Sequence, residues 1–367
     1  MQFYMPTELI TGEHCVAENA AKLARYGKHC LIVTGGSAAA RSGALQDAEE
    51  ALRSQGISFT HYAGIEPNPT LASCQEGGRL AQEAGAEFVL GIGGGSPLDA
   101  AKAVSVFAAN PGMTEEVFYS AQWDHAPLPI VLIGTTAGTG SEVTSVSVLT
   151  DSAGKKHSIH DRRVYAALAM GDARYTMTLP RAATLSTGID AICHCIESYF
   201  SKKADPFSRL FSVQGVRLGL PVLTRVAEMG AEEQPTLQQR ETLYQASILG
   251  GMAINPTGTV FPHNVGYYLT EHYGIPHGFA CATFLPELLK HVREQAPELC
   301  ERFYKACGTG EEELTALARR VVPVRGIRLS EDEIRAALPR WENNGTVRNT
   351  VGTVTMEQIA DMLRKEF

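Results

Sequence analysis

The chain has 367 residues, which exceeds the usual size of a single hydrophobic core and predicts two domains. Apolar residues make up 44% of the chain and charged residues 20%, as is ordinary for a soluble globular enzyme. The net charge of -8 argues against nucleic acid or an anionic membrane as the main partner.

The amino terminus and the cysteines predict where the protein resides. The first residues, MQFYMPTELITGEH, lack a basic segment followed by an apolar one, so no signal peptide is expected. There is no run of about 18 apolar residues that would predict a transmembrane helix. The eight cysteines form no Cys-x-x-Cys pair and are expected to be reduced thiols. We therefore expect a cytoplasmic protein.

Strand patterns and helix patterns alternate along the first half of the chain. The predicted strands span residues 30–35, 58–64, 87–92 and 129–136, and the predicted helices span 42–55 and 71–85. Such alternation indicates a parallel sheet covered by helices on both faces. After about residue 180 every periodic segment is helical, and Pro180 suits the start of a helix. We therefore expect an α/β domain in residues 1–179 and an all-helical domain in residues 180–367.

A glycine-rich segment, GIGGGSPLDAAKA (91–103), follows a predicted strand and opens a predicted helix. Its three consecutive glycines leave room for a ligand beside the first helical amides, where the helix dipole favours an anion. Because the motif is neither Gly-x-Gly-x-x-Gly nor a Walker loop, an ordinary tight turn is the alternative. Asp99 is expected to cap amides in the first turn of the helix. The candidate phosphate-binding residues are Gly93, Gly94, Gly95, Ser96 and Asp99.

A second polar loop, GTTAGTGSEVT (134–144), follows the next predicted strand. Its hydroxyl groups can donate hydrogen bonds to phosphate or ribose oxygens. Taken alone it could be only a polar strand end, but two such loops after parallel strands favour a dinucleotide site. The candidate cofactor-binding residues here are Thr135, Thr136 and Thr139.

Several histidines and one aspartate are the next candidate functional residues. Asp190 and His194 share a face of a predicted helix because they are four residues apart, although such a pair is often only structural.

His263 and His277 would lie about 21 Å apart in one unbroken helix, too far to share an ion. Gly274 and Pro276 break that helix, so the chain can fold back and bring the two imidazoles together. His272 falls on another face and is expected at the surface. The candidate metal ligands are therefore Asp190, His194, His263 and His277. This mixed nitrogen and oxygen set suits Fe(II), Zn(II), Co(II), Ni(II) or Mn(II).

Together these motifs resemble the iron-containing (group III) alcohol dehydrogenase family. The matching segments are GGGSPLDAAKA, GTTAGTGSEVT, Lys156 within KKHSI, GIDAICHCIES, and His263 with PHG at 276–278. Their order and spacing agree over residues 1 to about 290, and the C-terminal tail matches only weakly. The resemblance implies a dinucleotide-binding α/β domain, an all-helical domain, and a metal and active site in the cleft between them. It also implies that Lys156 binds the cofactor, and it assigns the metal to the same four residues.

Two positions depart from the family pattern. Where many members have Asp-Pro at the end of a strand before the helical domain, this chain has Asp172-Ala173. The other departure is next to the metal ligands. Many members carry a second histidine four residues after the one matching His263, near the nicotinamide. This chain has Tyr267 there, on the same helix face as His263. Tyr267 is therefore a candidate catalytic proton relay. Because a phenol gives up its proton less readily than an imidazolium near pH 7, the alternative is that Tyr267 only forms a wall of the pocket.

The resemblance also bears on the choice of cofactor. In NAD-preferring relatives an aspartate ends the first such strand, where it binds the ribose hydroxyls and repels a 2′-phosphate. Gly35 takes that place here, and Gly36 and Ser37 follow, so that carboxylate is missing. Arg41 could reach the phosphate as a cation. We therefore predict a preference for NADP(H), with NAD(H) possible.

The function implied by the resemblance is metal-dependent, NAD(P)-linked interconversion of a small primary alcohol and its aldehyde. Fe(II) is the expected ion, with Zn(II) or another divalent ion possible. A glycerol-dehydrogenase-like or dehydroquinate-synthase-like enzyme shares the architecture and is the alternative; a non-enzymatic metal- or nucleotide-binding protein is more remote. The expected partners are the alcohol or aldehyde and further copies of the chain, most simply in a dimer, and neither nucleic acid nor a membrane.

Overall fold

The computed structural model describes residues 3–230, 232–324 and 326–365. Within them the chain forms two compact units. One consists of residues 4–179, and the other of Phe3 together with the described part of residues 180–365.

The first unit is an α/β domain on a six-stranded sheet in which every neighbouring pair is parallel. The strands of this sheet are β1 (Glu8–Thr11), β2 (His29–Thr34), β3 (Ser58–Tyr62), β4 (Phe88–Gly93), β5 (Ile130–Gly134) and β8 (Leu168–Gly171). Between β5 and β8 the chain forms a separate antiparallel pair, β6 (Val146–Thr150) and β7 (Lys156–His160). Its α-helices are α1 (Cys15–Glu18), α2 (Ala38–Arg41), α3 (Ala44–Ser54), α4 (Leu71–Ala84), α5 (Gly95–Ala109) and α6 (Glu115–Ser120). The predicted α/β fold is confirmed.

The central strands are buried on both faces of the sheet. Along β2, Leu31 and Val33 belong to one hydrophobic cluster, whereas Cys30 and Ile32 belong to the other. Such strands appear in a sequence as continuous apolar runs, which is why their positions could be predicted. No strand was predicted over the residues of β1, β6, β7 or β8. The first three are short and partly exposed, and β8 has only four residues, so each gives a weak pattern.

The order of the sheet, β1-β8-β5-β4-β2-β3, contains a switch point between β2 and β4. From β2 the chain crosses to β3 on one side, and from β4 it crosses to β5 on the other. At such a point a crevice opens at the carboxyl ends of the two strands, where ligands bind. The loops that begin at Gly35 and Gly94 follow these two strands.

The second unit is helical, and no strand occurs among its described residues. Its helices are α7 (Arg181–Tyr199), α8 (Pro206–Glu228), α9 (Leu237–Thr257), α10 (Phe261–Tyr273), α11 (His277–Thr283), α12 (Leu285–Gln295), α13 (Pro297–Cys307), α14 (Glu311–Val321), α15 (Glu331–Ala337), α16 (Gly345–Arg348) and α17 (Met356–Leu363). Helix α7 is largely buried and packs against α8, α9 and α11. In the part of the chain that is described, no helix combines the length and apolar character needed to span a membrane.

Candidate active site

Three histidine side chains converge on one carboxylate oxygen in the helical unit. The Nε2 atoms of His263, His194 and His277 lie 3.3, 3.8 and 3.8 Å from Asp190 Oδ1. Two ligand atoms bound at 2.0–2.2 Å to one tetrahedral ion are roughly 3.3–3.6 Å apart. Each of the three imidazoles is therefore close enough to Asp190 Oδ1 to share an ion with it.

The chain reversal between α10 and α11 brings the last of these histidines into place. Helix α10 ends at Tyr273 and is capped by Gly274, whose φ of 65° is left-handed, and Pro276 precedes the first residue of α11, His277. The ring centroids of His263 and His277 are 5.2 Å apart as a result. His272 is exposed and is in contact with Arg340.

A glycine next to His277 allows α11 to approach α7. A Cβ atom on Gly278 would lie 1.9 Å from the Ser186 carbonyl oxygen and 2.9 Å from Asp190 Cβ. A side chain cannot fit in that space, so only glycine permits this separation of the helices. The short separation in turn sets the distance between His277 and Asp190.

The donor atoms show that this cluster fits a cation. Asp190 Oδ1 and His263 Nε2 are buried, and neither has a hydrogen-bond partner among the described residues. Burial opposes ionisation of Asp190, but the surrounding imidazoles outweigh it and hold the pKa of this carboxyl below its ordinary value. Burial alone would lower the pKa of His263, yet the Cys281 sulfur and nearby carboxylates raise it. Positive charge is thus favoured between these atoms, and a divalent ion would supply it.

Glu197 completes the support of the cluster, and the sequence reasoning missed it. Its Oε1 accepts a hydrogen bond from His263 Nδ1 at 2.5 Å, and its Oε2 accepts one from the Val260 amide at 2.9 Å. Because a carboxylate only accepts, Nδ1 carries the hydrogen, and Nε2 is the nitrogen that faces Asp190 and could bind an ion. The available signal was its position, seven residues after Asp190 on the same helix face.

The Glu197→Gln variant is expected to bind its metal about 10- to 100-fold more weakly, because the amide is a poorer acceptor and orients His263 less well. Competition with a chelator of known affinity measures this change. Glu301→Gln, on an exposed position of α13, is the control and should bind metal as the wild type does. Unchanged affinity in Glu197→Gln would remove Glu197 from the metal's supporting contacts.

Two further side chains border the cluster. Cys281 Sγ lies with the donor atoms of Asp190, His263 and His277 in a group whose members are all within 4.8 Å of one another. Burial raises the pKa of the Cys281 thiol to about 11, although the nearby His263 opposes this. The Tyr267 ring stacks on His277 with centroids 5.3 Å apart, and burial raises the pKa of its hydroxyl above the ordinary value.

In the α/β unit the two polar loops lie against each other. A Cβ atom on Gly94 would lie 3.0 Å from Thr136 Cγ2, and one on Gly95 would lie 2.6 Å from Thr139 Cγ2. The Thr135 amide donates to the Gly93 carbonyl oxygen at 2.8 Å. Ser96 lies in the first turn of α5, and Lys156 begins the separate strand β7. The glycines are therefore needed for the two loops to approach each other.

Asp99 was expected to cap the first turn of its own helix, but it does not. Its carboxylate accepts hydrogen bonds from Ser141 Oγ at 2.5 Å and from the Val148 amide at 2.9 Å. Helix α5 begins at Gly95, so Asp99 is its fifth residue and lies beyond the free amides of the first turn. The buried Lys102 ammonium donates to the Ser141 carbonyl oxygen at 2.8 Å, so both residues tie α5 to the second loop.

The two glycines of the loop after β2, Gly35 and Gly36, differ in the space around them. A Cβ atom on Gly35 would lie 2.6 Å from the Ile65 carbonyl oxygen and 3.2 Å from Pro97 Cγ, so this position has no room for a side chain. Gly36 has open space around it and a φ of 48°, and Ser37 after it is exposed. The nearness of Gly35 to Pro97 also places the loop after β2 beside the first turn of α5.

Comparison with known proteins identifies the family. The family model described as iron-containing alcohol dehydrogenase matches residues 6–173, and that of the Fe-containing alcohol dehydrogenase family, C-terminal, matches residues 184–322. Alcohol dehydrogenase 4 of Schizosaccharomyces pombe is 32% identical over 80% of this chain and 68% of its own length. The NAD-dependent methanol dehydrogenase of Bacillus methanolicus is 30% identical over 78% and 74%. The crystal structure of an iron-containing alcohol dehydrogenase from Thermotoga maritima superposes with a TM-score of 0.91 at 32% identity, covering 99% of this chain and 98% of that one. The chain therefore belongs to the iron-containing alcohol dehydrogenase family.

Proposed function

We propose that this alcohol dehydrogenase interconverts a small primary alcohol and its aldehyde, with a divalent ion held by Asp190, His194, His263 and His277. The observation that carries the proposal is the approach of three imidazole Nε2 atoms to within 3.3–3.8 Å of Asp190 Oδ1. Membership of the family accounts for the NAD(P)-linked alcohol and aldehyde chemistry. It disfavours the glycerol-dehydrogenase-like, dehydroquinate-synthase-like and non-enzymatic alternatives.

The cluster is proposed to hold the ion and to leave one side of it open to substrate. When bound, the ion would polarise the substrate oxygen as a Lewis acid, and the nicotinamide would supply or accept the hydride. Four protein donors leave one or two positions for the substrate oxygen. The His277 side chain is 29% exposed whereas that of Asp190 is 4% exposed, so we infer that substrate approaches on the His277 side. Fe(II) is the proposed ion, and the nitrogen and oxygen donors also suit Zn(II).

The cofactor is proposed to lie at the switch point of the α/β unit. Its phosphates would meet the amides at the start of α5, where the helix dipole favours an anion. The proposed binding residues are Gly35, Gly36, Ser37, Gly93, Gly94, Gly95, Ser96, Asp99, Thr135, Thr136, Thr139 and Lys156. Support comes from the strand order and from the close packing of the two polar loops.

A preference for NADP(H) over NAD(H) follows from the missing carboxylate after β2. Gly36→Asp should shift the ratio of kcat/KM for NADPH to that for NADH at least about tenfold towards NADH, because the new charge repels a 2′-phosphate. Gly36 is a better position for this test than Gly35, where any Cβ atom would collide with Ile65. Aspartate and asparagine both tolerate the positive φ of Gly36, so Gly36→Asn is the matched uncharged control. Equal shifts in the two variants, or a wild type that prefers NADH, would contradict the proposal.

Tyr267 is proposed to be in contact with substrate beside His277. Its hydroxyl could relay the proton, but the raised pKa and the stacked ring favour a role as pocket wall. We therefore expect Tyr267→Phe to keep kcat within about threefold of wild type with the same pH profile, since loss of a true acid–base group costs roughly 100-fold or more. Steady-state kinetics over a range of pH decide between the roles, and a 100-fold loss would make Tyr267 the relay.

A panel of aldehydes offered with NADPH or NADH tests the function itself. The metal-loaded protein should oxidise the reduced cofactor in step with aldehyde consumed, and short unbranched aldehydes should be the best substrates. Glycerol with the oxidised cofactor is included for the glycerol-dehydrogenase-like alternative. A protein that turns over glycerol but no aldehyde, or that turns over nothing, would contradict the proposal.

The proposal extends to location and assembly. All eight cysteines are free and buried, which suits a reducing compartment such as the cytoplasm. A homodimer is proposed because it is common in the family that the sequence resembles. Sedimentation of the purified protein distinguishes a dimer from a monomer.

A further inference from the structure

We propose that Cys281 serves as a metal ligand together with Asp190, His263 and His277, and that its thiolate gives this centre a marked affinity for thiophilic ions such as Co(II), Zn(II) and Cd(II). The inference rests on the proposed metal site and adds a sulfur donor to it. The thiolate would join a set that otherwise offers only nitrogen and oxygen, and thiolates select softer ions than carboxylates and imidazoles do.

The position of the thiol supports direct coordination. Cys281 is fully buried and lies one helical turn after His277 on α11, so both side chains project from the same face. Its Sγ atom is 3.6 Å from His277 Nδ1 and 3.7 Å from His277 Nε2. An ion bound to sulfur at 2.3 Å and to nitrogen at about 2.0 Å holds the two atoms roughly 3.5 Å apart.

Two buried acceptors point to an ion beside this thiol. Asp190 Oδ1 and His263 Nε2 both lack a hydrogen-bond partner among the described residues. One carboxylate oxygen of Asp190 and one ring nitrogen of His263 lie within 4.8 Å of Cys281 Sγ. Asp190, His263 and His277 therefore belong to two sets of four donors. His194 completes one set, and Cys281 completes the other.

The choice between the two sets depends on the ion. An ion that prefers oxygen, such as Mn(II), would use the set completed by His194, whereas a thiophilic ion would draw in the sulfur. On coordination the S–H bond breaks, a metal–sulfur bond forms and one proton leaves to solvent, so no oxidant or reductant is needed. Gly278 makes this possible as well, because it lets α11 carry the thiol close to α7.

Cobalt substitution tests the inference directly. Metal-free protein is loaded with Co(II), and its near-ultraviolet spectrum is compared for the wild type, Cys281→Ser, Cys281→Ala and Cys195→Ala. Cys195 is equally buried on α7 and serves as the matched control. We expect a thiolate-to-cobalt charge-transfer band in the wild type and in Cys195→Ala, and its loss in both Cys281 variants.

The ratio of Cd(II) affinity to Mn(II) affinity gives a second reading, which should fall about tenfold or more in the Cys281 variants. If Co(II) binds and its visible d–d bands appear without the charge-transfer band, or if that band survives in Cys281→Ala, the role of Cys281 is wrong and the metal site stands. If no Co(II) binds at all, the metal site itself is wrong, and this inference is overturned with the proposed function.

Discussion

The His263→Ala variant is expected to retain less than about a tenth of its metal and to lose roughly three orders of magnitude in kcat/KM. The substitution removes one donor atom, and Lewis-acid assistance is worth several kcal/mol of the barrier. It also leaves the buried Glu197 carboxylate without the His263 hydrogen bond. Elemental analysis of the purified variant and assay of the same preparation measure the two losses together.

His272→Ala is the matched control for this variant. His272 lies on the same helix, α10, but is exposed and contacts Arg340 rather than the cluster. It should therefore keep full metal content and turnover. Full metal occupancy in His263→Ala would overturn the proposed ligand assignment.

The second large effect is expected from Gly278→Ala, which adds a single methyl group. Gly278→Ala places a Cβ atom 1.9 Å from the Ser186 carbonyl oxygen, so α11 must move away from α7. That movement separates His277 from Asp190, and metal affinity should fall at least about tenfold, comparable with losing a supporting contact. The free energy of unfolding should fall by about 1–3 kcal/mol, as for other overpacked sites. Chelator competition and denaturant unfolding measure the two changes.

Gly310→Ala controls for the loss of a glycine in the same unit. Gly310 precedes α14, has no neighbour within 4 Å of an added Cβ atom, and does not have a positive φ. Its metal affinity should be unchanged. If Gly278→Ala binds metal as tightly as the wild type does, the close approach of α7 and α11 does not control the site.

Much of the fold could be predicted from local patterns. The strands 30–35 and 87–92 are continuous apolar runs because both faces of the sheet are covered, and each is followed by glycines that a tight loop needs. The break at Gly274 and Pro276 likewise identified where α10 ends. These signals are local, so they can be recognised without knowledge of tertiary contacts.

The remaining features depend on contacts between distant segments. Glu197 matters because it meets His263, which is 66 residues away in the sequence. Gly35 is constrained by the Ile65 carbonyl oxygen, and no pattern around Gly35 reports that contact. The sequence around Cys281 does not distinguish it from other cysteines, because only the packing of α11 against α7 brings its thiol to the cluster. Asp99 was wrongly expected to cap its helix because the exact start of α5 decides that role.

The most direct test of the account follows metal content and activity in one titration. Metal-free protein is titrated with Fe(II) without oxygen, and aldehyde-dependent oxidation of NADPH is measured at each step. We predict that activity is negligible at the start and rises in proportion to bound iron until about one ion per chain is bound. Full activity in the metal-free protein, or iron that binds without any gain in activity, would contradict the account.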